Sequence, residues 1–313
     1  MRTALVLCWL LAAGVASAAP EQLLERMAVA VRELDYVGTL SYSHDGKLET
    51  MRLVHRGDAA GERGRLTTIS GVRREVICEG RDVKVFLPDQ RTVLVERSAR
   101  ASTLPKLVVA DPAQLAAQYR LVDLGAGREA GRACRALGIE PRDGLRYGYR
   151  LCLDDATALP LRTELLDEGG TRAIESVVFS AIEFPERIAD AELAPSDPGH
   201  GWDWQLRESQ PDAVPTGLPW MIAAPPSGFA LTDALATQPD QHHLAYSDGL
   251  AAVSVFIEPV AADGKGLEGA ARIGAMHLYG RRVGDHQITA VGEVPAATVR
   301  AFAEAVAPAV AAR

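Results

Sequence analysis

Between residues 36 and 184 one pattern recurs: short runs of alternating apolar and polar residues, each closed by turn-forming residues. The runs cover 36–42, 48–55, 65–69, 75–79, 83–87 and 92–96, then 119–124, 132–140, 146–154, 161–166 and 172–184. The breaks include Asp45-Gly46, Ser70-Gly71, Gly80-Arg81, Pro88-Asp89 and the Asp-rich stretch 154–160. Alternation places every second side chain on one face, so each run reads as a half-buried strand. Short strands at such regular spacing predict an antiparallel meander, not βαβ units. Residues 57–64 read as a polar loop, and 103–109 with 112–119 as a helical or irregular insertion able to cover one sheet face. Ahead of the strands, 20–35 reads as a helix. Leu23, Leu24, Met27, Val31 and Leu34 recur at helical spacing, and Pro20 suits a first turn.

The stretch 185–226 is rich in proline and poor in apolar runs, which marks an interdomain linker. Trp202, Trp204 and Trp220 within it are expected to dock on a domain. The expected boundaries are a leader at 1–18, a large domain at 19–190, a linker at 191–218 and a small α+β domain at 219–313. The small domain opens with two apolar runs around Asp248-Gly249, a pair suited to a two-residue type I′ hairpin turn. That register pairs Ser247 with Leu250, Tyr246 with Ala251, Leu244 with Val253 and His242 with Val255. Leu244, Tyr246, Ala251, Val253, Val255 and Ile257 then share a core face. Leu250 and Phe256 fall on the other face and need a cover, either the final helix or a partner. That helix is expected over 296–307, with Val299, Phe302 and Val306 on one stripe. A second strand pair is expected near 277–279 and 286–291.

Arg2, the apolar run 4–13 and Ala16-Ser17-Ala18 form a charged start, a short apolar core and a small-residue cleavage site, as in a secretory signal peptide. The run is too short to span a bilayer. The expectation is therefore export, with a soluble mature chain starting near Ala19. Losing Arg2 takes the formal charge from −8 to −9, and an acidic exported protein is a poor nucleic-acid binder. Arginines nonetheless crowd the first third. Arg52, Arg73 and Arg74 are the candidates for an anionic-headgroup patch, against a reading as solvated strand faces. Cys78, Cys134 and Cys152 remain after cleavage. Cys134 and Cys152 lie symmetrically about Asp143 in the turn-like Pro141-Arg142-Asp143-Gly144, so a hairpin there sets them opposite each other. We expect them to form a disulfide, worth roughly 3 kcal/mol in loop entropy, leaving Cys78 free and buried.

Chemistry-bearing motifs are scarce. Gly125-Ala126-Gly127 with Gly131 imitates a dinucleotide loop, but no amphipathic helix follows, and it reads as a structural loop. His242 and His243 point to opposite faces of a strand and lack further ligands at useful spacing. No nucleophile-elbow, zincin or P-loop motif occurs. The expected work is non-enzymatic binding, with no cofactor and no metal. A curved antiparallel sheet with helices can enclose an apolar cavity suited to a lipid or an amphipathic segment.

The segments 243–250 and 253–258 resemble the MucB/RseB family of periplasmic regulators. So do Gly274-Ala275-Met276 with Tyr279-Gly280, 291–299, Tyr36-Val37-Gly38-Thr39-Leu40, Arg73-Arg74-Glu75-Val76 and Tyr147-Gly148-Tyr149-Arg150-Leu151. The resemblance spans essentially the whole mature chain. It implies an α+β, mainly β protein: a half-barrel with helices in its concavity, similar to lipoprotein carriers, plus a smaller C-terminal α+β domain that helps grip the partner. The implied partner is the periplasmic part of a membrane-bound anti-sigma factor of MucA/RseA type. Binding shields it from regulated proteolysis and keeps the envelope-stress sigma factor inactive, and lipid or lipopolysaccharide relieves this. A homodimer is compatible with the family. Candidate partner contacts are Tyr36, Tyr42, Tyr246, Leu250 and Phe256. The alternative reading is a periplasmic lipid or lipoprotein carrier.

Overall fold

The computed structural model of the chain describes residues 19–58, 61–97, 115–208, 219–238, 240–260 and 266–309. The leader at 1–18, the insertion up to residue 114 and residues 209–218 of the linker lie outside the described residues.

Twelve strands build one sheet. They are β1 (Tyr36–His44), β2 (Lys47–Asp58), β3 (Gly61–Ser70), β4 (Glu75–Glu79), β5 (Asp82–Leu87), β6 (Thr92–Arg97), β7 (Tyr119–Glu129), β8 (Arg132–Pro141), β9 (Tyr149–Asp154), β10 (Pro160–Leu166), β11 (Ala173–Glu183) and β12 (Asp203–Glu208). The order is β12-β6-β5-β4-β3-β2-β1-β11-β10-β9-β8-β7. Two meanders therefore join where β1 pairs with β11. Every neighbour is antiparallel except β12, which runs parallel to β6. This is the mainly β, open curved architecture that the alternation predicts.

Helix α1 (Pro20–Glu33) lies on one face, burying Leu23, Leu24, Met27 and Val31 against Tyr36, Leu40, Met51, Leu53 and Phe179. Side chains of that size contribute about 1.5–3 kcal/mol each on burial. On the opposite face, Ile188 and Leu193 pack on Val54, and the helical turn Asp190–Leu193 crosses β2 and β3.

Local expectations fail where a turn is longer, or shorter, than its sequence suggests. The polar loop at 57–64 is mostly strand, because β2 and β3 run to Asp58 and from Gly61. The imitation dinucleotide loop is also strand: β7 runs to Glu129 and turns at Ala130-Gly131. Gly127 packs closely there: a β-carbon would come within 3.2 and 3.3 Å of the two sulfurs of the Cys134–Cys152 disulfide, which would have to give way. The cysteines are not directly opposite. Cys134 faces Asp154 and Cys152 faces Ala136, a diagonal pair with Cα atoms 5.6 Å apart. The wider connection between β8 and β9 displaces the register by two. The linker, too, is only partly a linker. Its residues Asp203–Glu208 form β12, and Trp202 and Trp204 meet Phe86 edge-on at 6.4 and 6.0 Å.

The second sheet has six strands in the order β14-β15-β16-β19-β18-β17. They are β14 (Ala230–Gln238), β15 (Gln241–Ser247), β16 (Ala252–Pro259), β17 (Gly269–Ile273), β18 (Met276–Val283) and β19 (His286–Gly292). β14 was invisible to the alternation test because Ala230–Gln238 mixes polar and small residues on both faces. Helix α2 (Ala296–Glu304) covers one face, and β20 (Val306–Pro308) after it pairs with β13 (Trp220–Ile222). The expected helix thus stops short of residue 306, and Val306 is a strand residue.

Candidate functional site

The hairpin of β15 and β16 does not turn in two residues. Ser247 pairs with Ala252, Tyr246 with Val253, Leu244 with Val255 and His242 with Ile257. Residues 248–251 form a four-residue loop, which shifts the register by two and leaves the face assignment intact. Leu244, Tyr246, Ala251, Val253, Val255 and Ile257 form one core with Val299 and Phe302 of α2. The helix therefore covers this face and not the one bearing Leu250 and Phe256.

Asp248 organises the loop. Its Oδ1 accepts hydrogen bonds from the backbone N–H groups of Leu250 (2.9 Å) and Ala251 (2.7 Å). Gly249 supplies the left-handed conformation between them, with φ +98°. The same carboxylate reaches into the large sheet. Oδ2 accepts from the Tyr119 hydroxyl at 3.0 Å and from Nε of Arg146. Arg146 also donates to Asp143 and to the carbonyl of Ser227, and its guanidinium lies 4.6 Å above the Phe229 ring. Neither side chain of the Arg146–Asp248 pair touches solvent. Burial opposes the charge on Arg146, but its bonds to Asp248 and Asp143 outweigh this and hold its pKa above the ordinary value. Burial, reinforced by the Asp248 charge, drives the Tyr119 hydroxyl far up and keeps it a donor.

With Asp248 anchored, Leu250 at the loop tip is buried in the large sheet's core, as is Ala275 at the β17–β18 turn. The seam continues through Thr298 Oγ1, which donates to the Leu145 carbonyl at 2.8 Å, and Tyr147 Oη beside His277 Nδ1 at 3.2 Å. Further along it, Tyr42 donates to Glu175 at 2.9 Å in a narrow space also lined by Tyr149, Thr163 and Glu293. Burial first, then Glu175, raises the Tyr42 pKa strongly.

The structure distributes the expected contact residues unevenly. Tyr42 and Leu250 lie at the seam between the sheets. Tyr246 is core, with its ring 5.2 Å from Phe302. Tyr36 is fully buried and stacked on His55 at 4.5 Å. Phe256 alone of the five is exposed, stacked on His243 at 4.6 Å. The arginines are already matched to carboxylates of the chain: Arg52 with Glu192 (3.5 Å), Arg74 with Glu49 (2.7 Å) and Arg73 with Asp89 (3.6 Å). Arg56 and Arg63 share Asp190. Arg52, Arg56 and Arg63 thus face the acidic turn after β11, which straps the outer side of β2 and β3. Burial, and next Glu62, pushes the Cys78 thiol up to about 12, so it stays protonated and inert. Among the described residues, no cluster of three or more His, Cys, Asp or Glu could hold a metal ion. Sequence reasoning missed Tyr119, Arg146 and Ser227 at the seam, because nothing local marks a pair 102 residues apart.

Comparison with known proteins follows this two-sheet layout. Residues 19–197 match the MucB/RseB N-terminal domain and 215–307 the MucB/RseB C-terminal domain. The chain belongs to the MucB/RseB family. It is 33% identical over 302 residues to the sigma factor AlgU regulatory protein MucB of Pseudomonas aeruginosa, covering 93% of this chain and 91% of that one. It is 28% identical to the sigma-E factor regulatory protein RseB of Salmonella typhimurium, covering 91% and 89%. Among solved structures, the Pseudomonas aeruginosa MucA/MucB complex matches with a TM-score of 0.73 and 30% identity, over 94% of this chain and 100% of that one. No helix among the described residues is long and apolar enough to cross a membrane.

Proposed function

We propose that this protein is an exported, periplasmic, non-enzymatic regulator. It grips the periplasmic region of a membrane anti-sigma factor, shields it from regulated proteolysis and so keeps an envelope-stress sigma factor inactive. The observation that carries this reading is the full-length match to a MucB solved with MucA, at 30% identity and TM-score 0.73. The seam supports it. The buried Asp248–Arg146–Tyr119 cluster ties the two sheets together, so that a partner segment can be gripped by both. The exposed Phe256–His243 stack on the second sheet offers an aromatic contact. Lipid or lipopolysaccharide relieves the grip by competing for the same protein state.

The test is protease protection. The mature chain is mixed with the periplasmic region of a MucA/RseA-type anti-sigma factor, and cleavage of that region by the protease that begins its regulated proteolysis is timed. We expect cleavage to slow on adding the chain. Phe256→Asp should lose protection while melting at an unchanged temperature. Equal cleavage rates with and without the wild-type chain would overturn the reading. Recovery of acylated proteins in place of the anti-sigma factor would favour a carrier.

A further inference from the structure

Three turns meet at one rim of the molecule. The β17–β18 turn, Gly274-Ala275, is pinned because Ala275 is buried in the large sheet's core. A β-carbon built on Gly274 would lie 3.9 Å from Asp45 Cβ, so this turn abuts the β1–β2 turn. One built on Gly71 would lie 3.0 Å from Glu49 Cγ, so the β3–β4 turn is next in line. Each turn carries aliphatic side chains in water: Leu48 on the first strand pair, Ile69 and Val72 on the second, Ile273 and Met276 on the third. Their exposure runs from 40 to 71%. Beside them in sequence stand the exposed cations Lys47, Arg73 and Arg272. Arg73 makes only a loose pair with Asp89 at 3.6 Å, both side chains being largely exposed. Asp45, Asp89 beside Arg73, and Asp167 and Glu168 in the space shared with Arg272 oppose this charge, with Arg172 pairing Asp167, whereas Glu49 and Glu175 are buried and Arg74 neutralises Glu49.

We propose that this rim rests on an anionic bilayer surface. The five aliphatic side chains enter the headgroup layer while Lys47, Arg73 and Arg272 meet lipid phosphates. Clustered exposed apolar side chains mark interaction sites. Apolar area combined with neighbouring cations is what holds a protein at an anionic interface. The net charge of −9 without residues 1–18 does not prevent this, because charges more than about 8–10 Å away are screened at ordinary ionic strength. Both sheets contribute to the rim, so docking would fix the whole molecule in one orientation. The inference goes beyond the anti-sigma reading and does not depend on it.

The experiment is vesicle co-sedimentation of the chain lacking residues 1–18. Phosphatidylethanolamine–phosphatidylglycerol vesicles are compared with phosphatidylcholine alone. We expect pelleting with the anionic vesicles only, weakened by salt. Leu48→Ser/Val72→Ser/Ile273→Ser should lower the bound fraction about tenfold or more. Lys47→Glu/Arg73→Glu/Arg272→Glu should do the same and provides a second arm if the first variant melts early. The proposal fails if the wild type stays in the supernatant, or pellets equally on phosphatidylcholine. It fails too if the correctly folded variants pellet like the wild type. A variant that only converts a dimer to a monomer in sedimentation velocity would assign the rim to self-association and overturn it.

Discussion

Asp248 does two jobs with one carboxylate: Oδ1 shapes the loop and Oδ2 docks it. Asp248→Asn should therefore cost more than a surface substitution. Removing one member of a buried ion pair strands the other charge and typically costs about 3–5 kcal/mol. Urea unfolding should show this, and Arg146→Met/Asp248→Leu should be less destabilised than the sum of the single variants. Asp154 carries the acid sensitivity we would test first. Burial pushes its pKa up, but the bonds from Arg132 and Thr157 prevail and hold it below the usual value. A depressed folded-state pKa means stability is present above the unfolded value, near 4, and is lost as pH falls through the folded one. The urea midpoint should therefore drop below about pH 4, and Asp154→Asn should flatten that limb.

At the level of elements, the β8–β9 pair is stapled by Cys134–Cys152, whose sulfurs lie against Gly127 of β7. Reduction, or Cys134→Ala/Cys152→Ala, should lower stability by roughly 3 kcal/mol. Gly127→Ala should cost about 1–3 kcal/mol by overpacking in the oxidised protein and less in the reduced one. Thermal melts with and without reductant would show the difference. The alternation of β1 and of most of β15 was legible because one face of each is buried and the other is not. β14 was not legible, nor was the strand character of 61–64, because small and charged residues there are placed by neighbouring strands and not by local preference.

For the whole molecule, the second sheet inserts Leu250 and Ala275 into the core of the first. The two sheets should therefore unfold together. Leu250→Ala should lower stability by about 2–5 kcal/mol and split a single calorimetric transition into two as the docking weakens. A variant with one unchanged peak would show that the seam carries no coupling. This docking also explains why only part of the candidate site could be read in advance. Leu250 was recognised as an apolar residue needing a cover, yet its cover comes from strands and loops more than a hundred residues earlier in the chain.

The amino-acid sequence by itself determined the mainly β class, the positions of most strands, the core face of the β15–β16 hairpin and the partnership of two cysteines. These follow from side-chain period and chain proximity, which are local. Only the tertiary structure decided the four-residue loop at Asp248, the buried pair with Arg146, the pairing of the arginine-rich face with the acidic strap and the meeting of three turns at one rim. Those depend on which surfaces the two sheets bring together. A burial contact is specified by complementarity across the fold, and no single segment carries it.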